Sequence, residues 1–352
     1  MRRLQYQSPM VKVRACVKKG PGKVALTDID LGDPGPGQAL VRTTLTTICG
    51  SDIHIVDHIE EVPAGLPMGH ESVGVVEAIG EGVERVKPGD RVVSACLLSC
   101  GHCVRCQNGE HSVCQTFGAP MNLLFGAQAE AFLVSGADHS MATVPDGLDD
   151  RHAIFAADIM STGFAAIERA RLEEGQTVAI FAQGPVGLCA TAAAKYYKAG
   201  VIVAVESIPG RMELARRLGA DRVLHPDQAV DEIMTMTGGF GVDVAVEALG
   251  KQVTFENCLR VTRYGGTVSS VGVYTPLAAL SLPTDGTFLH RTIVTTLCPV
   301  GTKRLQRLLG ILDSGEVDLT PLLTHERRLD DIVASYDMFR NRQDGVVKIA
   351  IR

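Results

Sequence analysis

Tryptophan is absent from this 352-residue chain, and aromatic residues are 5% of it. No pocket in this protein is narrowed by an indole. No uninterrupted apolar run approaches the roughly 20 residues that a membrane-spanning helix needs, which argues against a helical membrane protein. An excess of positive charge is also missing: 34 Lys and Arg stand against 40 Asp and Glu, for a net charge of -6. Without a basic stripe there is no electrostatic footprint for nucleic acid. Arg2-Arg3 is a twin-arginine dipeptide, but no apolar segment follows it, so it is not read as an export signal. Internal repeats and low-complexity tracts are absent too. What is present is a hydrophobic content of 45%, enough for about two cores in a chain of this length.

The chemistry lies in four residues: Cys49, His70, Glu71 and Asp158. One thiolate, one imidazole and one carboxylate can hold a tetrahedral Zn²⁺ and leave a fourth position open, which distinguishes a catalytic zinc from a structural one. A lone Cys or His is more often a packed core residue than a ligand, so the combination carries the argument. Glu71 is either a fourth ligand or a carboxylate that orients His70. The hydroxyl of Ser51 and the imidazole of His54 follow Cys49 closely, so a proton path can start at the metal. Asp52 is an alternative partner for one of the ligands.

Cys100, Cys103, Cys106 and Cys114 read C-x2-C-x2-C-x7-C. Four thiolates at such short spacing close a tetrahedral shell, the mark of a structural zinc. An iron–sulfur site also uses C-x2-C-x2-C, but the proline that follows its last Cys is replaced here by Gln115. Disulfides are disfavoured in a chain without a secretory segment. The remaining thiols, Cys16, Cys96, Cys189, Cys258 and Cys298, read as buried and free in a reducing, cytoplasmic compartment.

The third feature is a phosphate-binding turn. An apolar run over 177–181 suits a buried parallel strand. Ala182-Gln183-Gly184-Pro185-Val186-Gly187 follows, then a helical stretch over 188–199. This is G-x-G-x-x-G with Ala in the first place. Its second Gly lets the backbone approach a pyrophosphate, its third lets helix pack on strand, and the helix N-terminus faces the phosphates. A second strand over 201–205 ends at Glu206, whose carboxylate suits the adenosine ribose hydroxyls and repels a 2′-phosphate. NAD is therefore expected over NADP, with Arg211 able to soften the preference.

With these motifs the chain resembles the zinc-dependent medium-chain alcohol dehydrogenases, over nearly its whole length. The pattern from Gly69 to Gly80, G-H-E-x2-G-x5-G, is the zinc signature of that family. Asp158 within Asp-Ile-Met-Ser-Thr-Gly, and Leu297-Cys298-Pro299, resemble its bacterial secondary-alcohol branch. Two departures stand out: that branch usually lacks the four-Cys lobe, and many of its members use NADP.

The resemblance implies a GroES-like, β-rich catalytic domain over 11–161 and 301–352, with a structural-zinc lobe near 96–116. A Rossmann domain, an α/β doubly wound parallel sheet, is expected over 162–300, after a flexible extension over 1–10. The alternation of strands and helices after about residue 162, against short β-like runs before 145, points the same way. By resemblance, protons pass from Ser51 through the cofactor ribose to His54. Thr162 lies near the nicotinamide carboxamide, and Lys348 approaches the pyrophosphate. Gly50 stands where some relatives carry a phosphate-binding basic residue.

The implied function is reversible hydride transfer between a small-molecule alcohol, of the secondary type, and NAD, with ketone or aldehyde reduction in reverse. The implied cofactors are one catalytic and one structural Zn²⁺ and NAD, with NADP second. The pocket is expected to include Ser51, His70, Leu297, Cys298 and part of the loop 117–125. Two other readings are a polyol or amino-alcohol dehydrogenase of the same family, and a non-enzymatic binding protein on this fold. Neither nucleic acid nor membrane is an expected partner; a homotetramer or homodimer is the expected assembly.

Overall fold

The computed structural model describes residues 11–59, 62–118, 122–274 and 279–352. The extension over 1–10 and part of the 117–125 loop thus lie outside the described residues. The chain forms two compact units. One comprises residues up to Ala157 with Val300–Asp313 and Leu323–Arg352; the other comprises Asp158–Pro299 with Ser314–Leu322.

The first unit is built from short strands separated by turns. β1 (Val11–Gly20) and β2 (Lys23–Leu31) form an antiparallel pair. β3 (Gln38–Ile48) runs directly into helix α1 (Gly50–His58). β4 (Ser72–Ile79) and β5 (Arg91–Ser94) follow, then the single-turn α2 (Val104–Gln107). β6 (Ala131–Ser135), α3 (Ala137–Ser140), β7 (Met141–Thr143) and α4 (Asp150–Ala153) complete this stretch.

The second unit opens with α5 (Ile159–Arg169) and continues as alternating strand and helix. Its elements are β8 (Thr177–Phe181), α6 (Pro185–Tyr196), β9 (Val201–Val205), α7 (Pro209–Arg217), β10 (Arg222–Leu224) and α8 (Pro226–Met236). β11 (Val242–Glu247), α9 (Gln252–Val261), β12 (Thr262–Ser270) and β13 (Thr292–Thr295) follow. The chain then returns to the first unit with α10 (Thr302–Asp313), β14 (Leu323–Arg327), α11 (Ile332–Arg340) and β15 (Lys348–Ile351).

In the first unit β15 pairs with β3, so a seven-stranded sheet runs β14-β15-β3-β4-β5-β7, with β6 also on β3. This pairing sets the C-terminal strand beside the segment that leads into Cys49. In the second unit the order is β10-β9-β8-β11-β12-β13, all parallel. It is the 3-2-1-4-5-6 order of a doubly wound sheet, with the reversal between β8 and β11. β8 and β9 are almost wholly buried apolar runs, as a strand covered on both faces requires, and β11 is buried and apolar at Val242, Val244, Ala245 and Val246. Their side chains pack with Ile233, Phe255 and Leu259 of the covering helices into one core.

Element edges differ from the sequence pattern in ways that have local causes. α6 begins at Pro185, because proline at the first helical position costs no hydrogen bond. The second unit begins at Asp158, since α5 already starts at Ile159. Gly265-Gly266 lies inside β12, where the register against β11 shifts.

The glycine turn is tight. A Cβ on Gly187 would lie 1.9 Å from the Ala182 carbonyl oxygen, so the third glycine of the motif is sterically required. Ala182 itself sits at φ +74, a left-handed conformation that costs an L-residue roughly 1–2 kcal/mol. Ala182→Gly is therefore expected to stabilise the fold by up to about 1 kcal/mol, part of the strain relief being offset by unfolded-chain entropy. A denaturation midpoint that falls in this variant would contradict the strain.

Candidate functional site

Cys49 is the residue between β3 and α1, and His70 and Glu71 immediately precede β4. Because β3 and β4 pair antiparallel, with Thr46 opposite Ser72, these ends of the two strands come together. Asp158 is one peptide bond beyond Ala157, whose carbonyl accepts from Cys96 N at 3.0 Å. The donor atoms of Cys49, His70, Glu71 and Asp158 all lie within 4.8 Å of one another.

Each of these groups is held from behind. His70 Nδ1 is 3.0 Å from Asp52 Oδ1, and both side chains are 1% exposed. Asp52 Oδ2 accepts from Cys49 N at 2.9 Å and Gln128 Nε2 at 3.0 Å. Gln128 in turn donates to the Thr47 carbonyl at 3.0 Å and accepts from the Tyr336 hydroxyl at 2.8 Å. Burial, and after it the Asp52 charge, push the Tyr336 phenol well up, so it stays a donor. This chain runs from the core to the imidazole and leaves His70 Nε2 facing Ser51 Oγ at 3.1 Å.

Glu71 Oε2 pairs with Lys348 and accepts from the Thr47 hydroxyl. Glu71 Oε1 is buried and accepts no hydrogen bond among the described residues. A desolvated carboxylate oxygen left this way calls for a cation. Together with a thiolate and an imidazole it forms a mixed S/N/O donor set, which suits zinc better than the all-oxygen shells of magnesium or calcium.

Lys348, expected near the pyrophosphate, lies against Glu71. Its ammonium is 1% exposed and is committed to Glu71, with the Ile48 carbonyl at 3.4 Å. The cause is local: a buried carboxylate requires a counter-charge, and β15 beside β3 supplies it.

Ser51 and His54, the pair expected to carry protons, lie on α1. Ser51 and His54 are three residues apart, hence on one face of the helix. The His54 ring meets that of His58 edge to face at 5.2 Å. Burial first, then the His58 charge, hold the His54 imidazole below its ordinary value.

The four-Cys lobe also assembles. The sulfurs of Cys100, Cys103, Cys106 and Cys114 lie within 4.8 Å of one another. Cys103 N donates to the Cys100 sulfur at 3.3 Å, and the Thr116 hydroxyl donates to it at 3.1 Å. A hydrogen bond from the Cys106 backbone draws the Cys103 thiol down to about 6. A closed all-sulfur set supported by N–H donors fits a structural metal.

In the second unit, Glu206 stands just past β9 and is 7% exposed. Its carboxylate accepts from Gln183 N at 2.9 Å, Ser207 N at 2.7 Å and Ile208 N at 3.1 Å. The acidic side chain is thus tied to the glycine turn itself. Arg211 Nη1 lies 4.0 Å from where a Gly184 Cβ would be. Gly184 caps α6, with Pro185, Val186 and Gly187 in its first turn. The Thr162 hydroxyl donates to the Asp158 carbonyl at 3.2 Å and lies 3.3 Å from its Oδ1. The Cys298 sulfur rests on the Asp158 carbonyl at 3.5 Å, while Leu297 is exposed. Gln128, Thr47 and Tyr336 were not apparent from sequence, because nothing in their spacing ties them to Asp52 or Glu71.

Comparison with known proteins agrees with this geometry. Residues 35–146 match the alcohol dehydrogenase GroES-like domain, and residues 185–314 match the zinc-binding dehydrogenase domain. An alcohol dehydrogenase of Cupriavidus necator is 44% identical over 97% of this chain and 98% of its own. An NADP-dependent isopropanol dehydrogenase of Thermoanaerobacter brockii is 34% identical over 93% of this chain and 96% of its own. Among solved structures, the alcohol dehydrogenase TADH from Thermus sp. ATN1 superposes with a TM-score of 0.87 at 32% identity, covering 96% of this chain and 99% of that one. The chain belongs to the zinc-dependent medium-chain alcohol dehydrogenase family, with a GroES-like and a Rossmann-like domain. Its chemistry is zinc-dependent interconversion of small-molecule alcohols and carbonyl compounds with a nicotinamide cofactor. Among the described residues no helix is long and apolar enough to cross a membrane.

Asp52→Asn removes the charge that fixes the His70 ring, and zinc affinity at this site is expected to fall about 10–100-fold. Equilibrium dialysis against a competing chelator reads this directly; an unchanged affinity would remove Asp52 from the site.

Proposed function

We propose that this protein oxidises secondary alcohols with NAD, and reduces the corresponding ketones, at a zinc held by Cys49, His70 and Asp158. The observation that carries the reading is this donor set beside Ser51, braced by Asp52 and Gln128. Charge supports the division of roles. Lys348 neutralises Glu71, and the Cys49 thiolate with the Asp158 carboxylate balances Zn²⁺. Glu71 then stands beside the metal as a buried carboxylate, its Oε1 available to it. The four thiolates of Cys100, Cys103, Cys106 and Cys114 hold the structural zinc. The substrate class is supported by the absence of tryptophan and by the isopropanol-oxidising relative.

When bound, the catalytic zinc supplies a Lewis acid that lowers the pKa of the alcohol. Ser51 receives the hydroxyl proton, and His54, one helical turn on, delivers it to solvent. Thr162 positions the carboxamide of the nicotinamide that accepts the hydride. Gly184, Pro185, Val186 and Gly187 present the α6 N-terminus to the pyrophosphate.

The preference for NAD rests on Glu206. Its carboxylate is fixed by three backbone N–H groups and cannot easily swing away, so a 2′-phosphate would meet a buried negative charge. Arg211 over the glycine turn is the group that would sustain residual NADP use. A panel of 2-alkanols, primary alcohols and polyols with NAD and NADP in parallel, before and after chelation, tests the assignment. Chelator-sensitive oxidation of 2-alkanols, faster with NAD, is expected; faster turnover with NADP would contradict the Glu206 argument. Cys49→Ala is expected to abolish turnover while NADH still binds.

The depressed His54 pKa gives a pH dependence. Above that pKa the imidazole is neutral and accepts a proton; as pH falls through it, alcohol oxidation loses its acceptor. The limb therefore lies below the ordinary imidazole value of about 6.5. His54→Gln should remove this limb and lower kcat by about 10²-fold, the low end for general-base catalysis. An unaltered pH–rate profile would exclude His54 from the proton path.

A further inference from the structure

Glu247 is a fully buried carboxylate that the hydride chemistry does not use. It is the last residue of β11. Its Oε1 accepts from Leu249 N at 2.9 Å, Gly250 N at 2.8 Å and the Thr254 hydroxyl at 2.6 Å. Its Oε2 accepts from the Tyr274 hydroxyl at 3.0 Å and the Ser270 hydroxyl at 3.5 Å, and these two hydroxyls are 2.9 Å apart. The Glu247 backbone carbonyl takes Val271 N at 2.9 Å and Gly272 N at 3.2 Å. One residue thus ties together the segments that leave β11 and β12.

The two segments touch backbone to backbone. A Cβ on Gly250 would lie 2.2 Å from the Val273 carbonyl oxygen, and one on Gly272 would lie 2.2 Å from Gly250 N and 2.5 Å from Glu247 Oε2. On the outer side of this contact Leu249 and Val273 are 45% and 67% exposed. Two apolar side chains are therefore presented to solvent by backbone that is otherwise fixed.

Their place in the sheet says what they face. In a doubly wound sheet a dinucleotide lies across the carboxyl ends of the strands at the reversal of strand order. Here the pyrophosphate turn follows β8, and the acidic residue for the adenosine ribose ends β9 on one side of the reversal. The other half of the dinucleotide must fall on the opposite side, at the carboxyl ends of β11 and β12. Glu247, Leu249 and Val273 are at those ends.

We propose that Tyr274 is a positioning residue for the nicotinamide half of the cofactor: its phenol, held on Glu247 and Ser270, fixes the Leu249–Val273 ledge against which that half rests. The inference rests on the nicotinamide-dinucleotide reading above. Burial first, with the Glu247 charge adding to it, pushes the Tyr274 phenol up, so the donor persists through the working pH range. Tyr274→Phe keeps the ring and removes the hydroxyl with its contacts to Glu247 and Ser270.

The test is titration of NADH fluorescence, with ADP-ribose displacement alongside. ADP-ribose shares the adenosine and pyrophosphate but has no nicotinamide. In Tyr274→Phe the Kd for NADH is expected to rise about fivefold, within the net range of lost neutral hydrogen bonds, while that for ADP-ribose stays within about twofold. KM for NAD should rise in step, with zinc content and KM for the alcohol unchanged. Ser270→Ala, which removes the second hydroxyl and leaves the ring in place, should shift NADH affinity in the same direction. Equal weakening of NADH and ADP-ribose, or no change in either, would overturn the role of Tyr274. Failure of the unaltered protein to bind either NADH or NADPH would instead overturn the dinucleotide reading.

Discussion

A carboxylate withdrawn from water must find a counter-charge or a set of donors, and the functional parts of this protein are arranged around four that do. Asp52 and Glu71 are each 1% exposed, Glu247 is fully buried, and Glu206 is 7% exposed. Asp52 resolves its charge through His70, Cys49 N and Gln128. Glu71 does so through Lys348 and Thr47. Glu206 and Glu247 do so on backbone N–H groups of the segments beside them. Each of these solutions immobilises a piece of chain: His70, the ends of β3 and β15, the glycine turn, or the segments past β11 and β12.

The two metal sites solve a different problem. The four-Cys lobe brings its ligands from a stretch of 15 residues, Cys100 to Cys114, so local turns alone can assemble it. The candidate donors Cys49, His70, Glu71 and Asp158 come from positions far apart in sequence, and the first three depend on β3 and β4 pairing in one register. A one-residue slip would turn the side chains around Ser72 to the other face of the sheet. The buried Lys348–Glu71 pair adds a second condition, since β15 must lie beside β3 for the charges to meet.

In the second unit the reversal between β8 and β11 creates two unlike sides. On the β9 side an anionic residue is tied to the glycine turn; on the β11 and β12 side a buried carboxylate supports apolar side chains. The strain at Ala182 belongs to the same design: the left-handed turn is kept although the residue is not glycine.

The sequence by itself determined the ligand types, the spacing of the four-Cys lobe and the run of strand, glycine turn and helix. These are local: periodicity, turn residues and short spacings carry them, and β8, β9 and β11 appear where their apolar runs stand. Only the tertiary structure decided who supports whom. Gln128 joins Asp52 across 76 residues of separation, and Tyr336 joins Gln128 across 208. Lys348 meets Glu71 across 277. Such pairings follow from which strands lie side by side, and strand order is a property of the packed sheet that no single segment encodes.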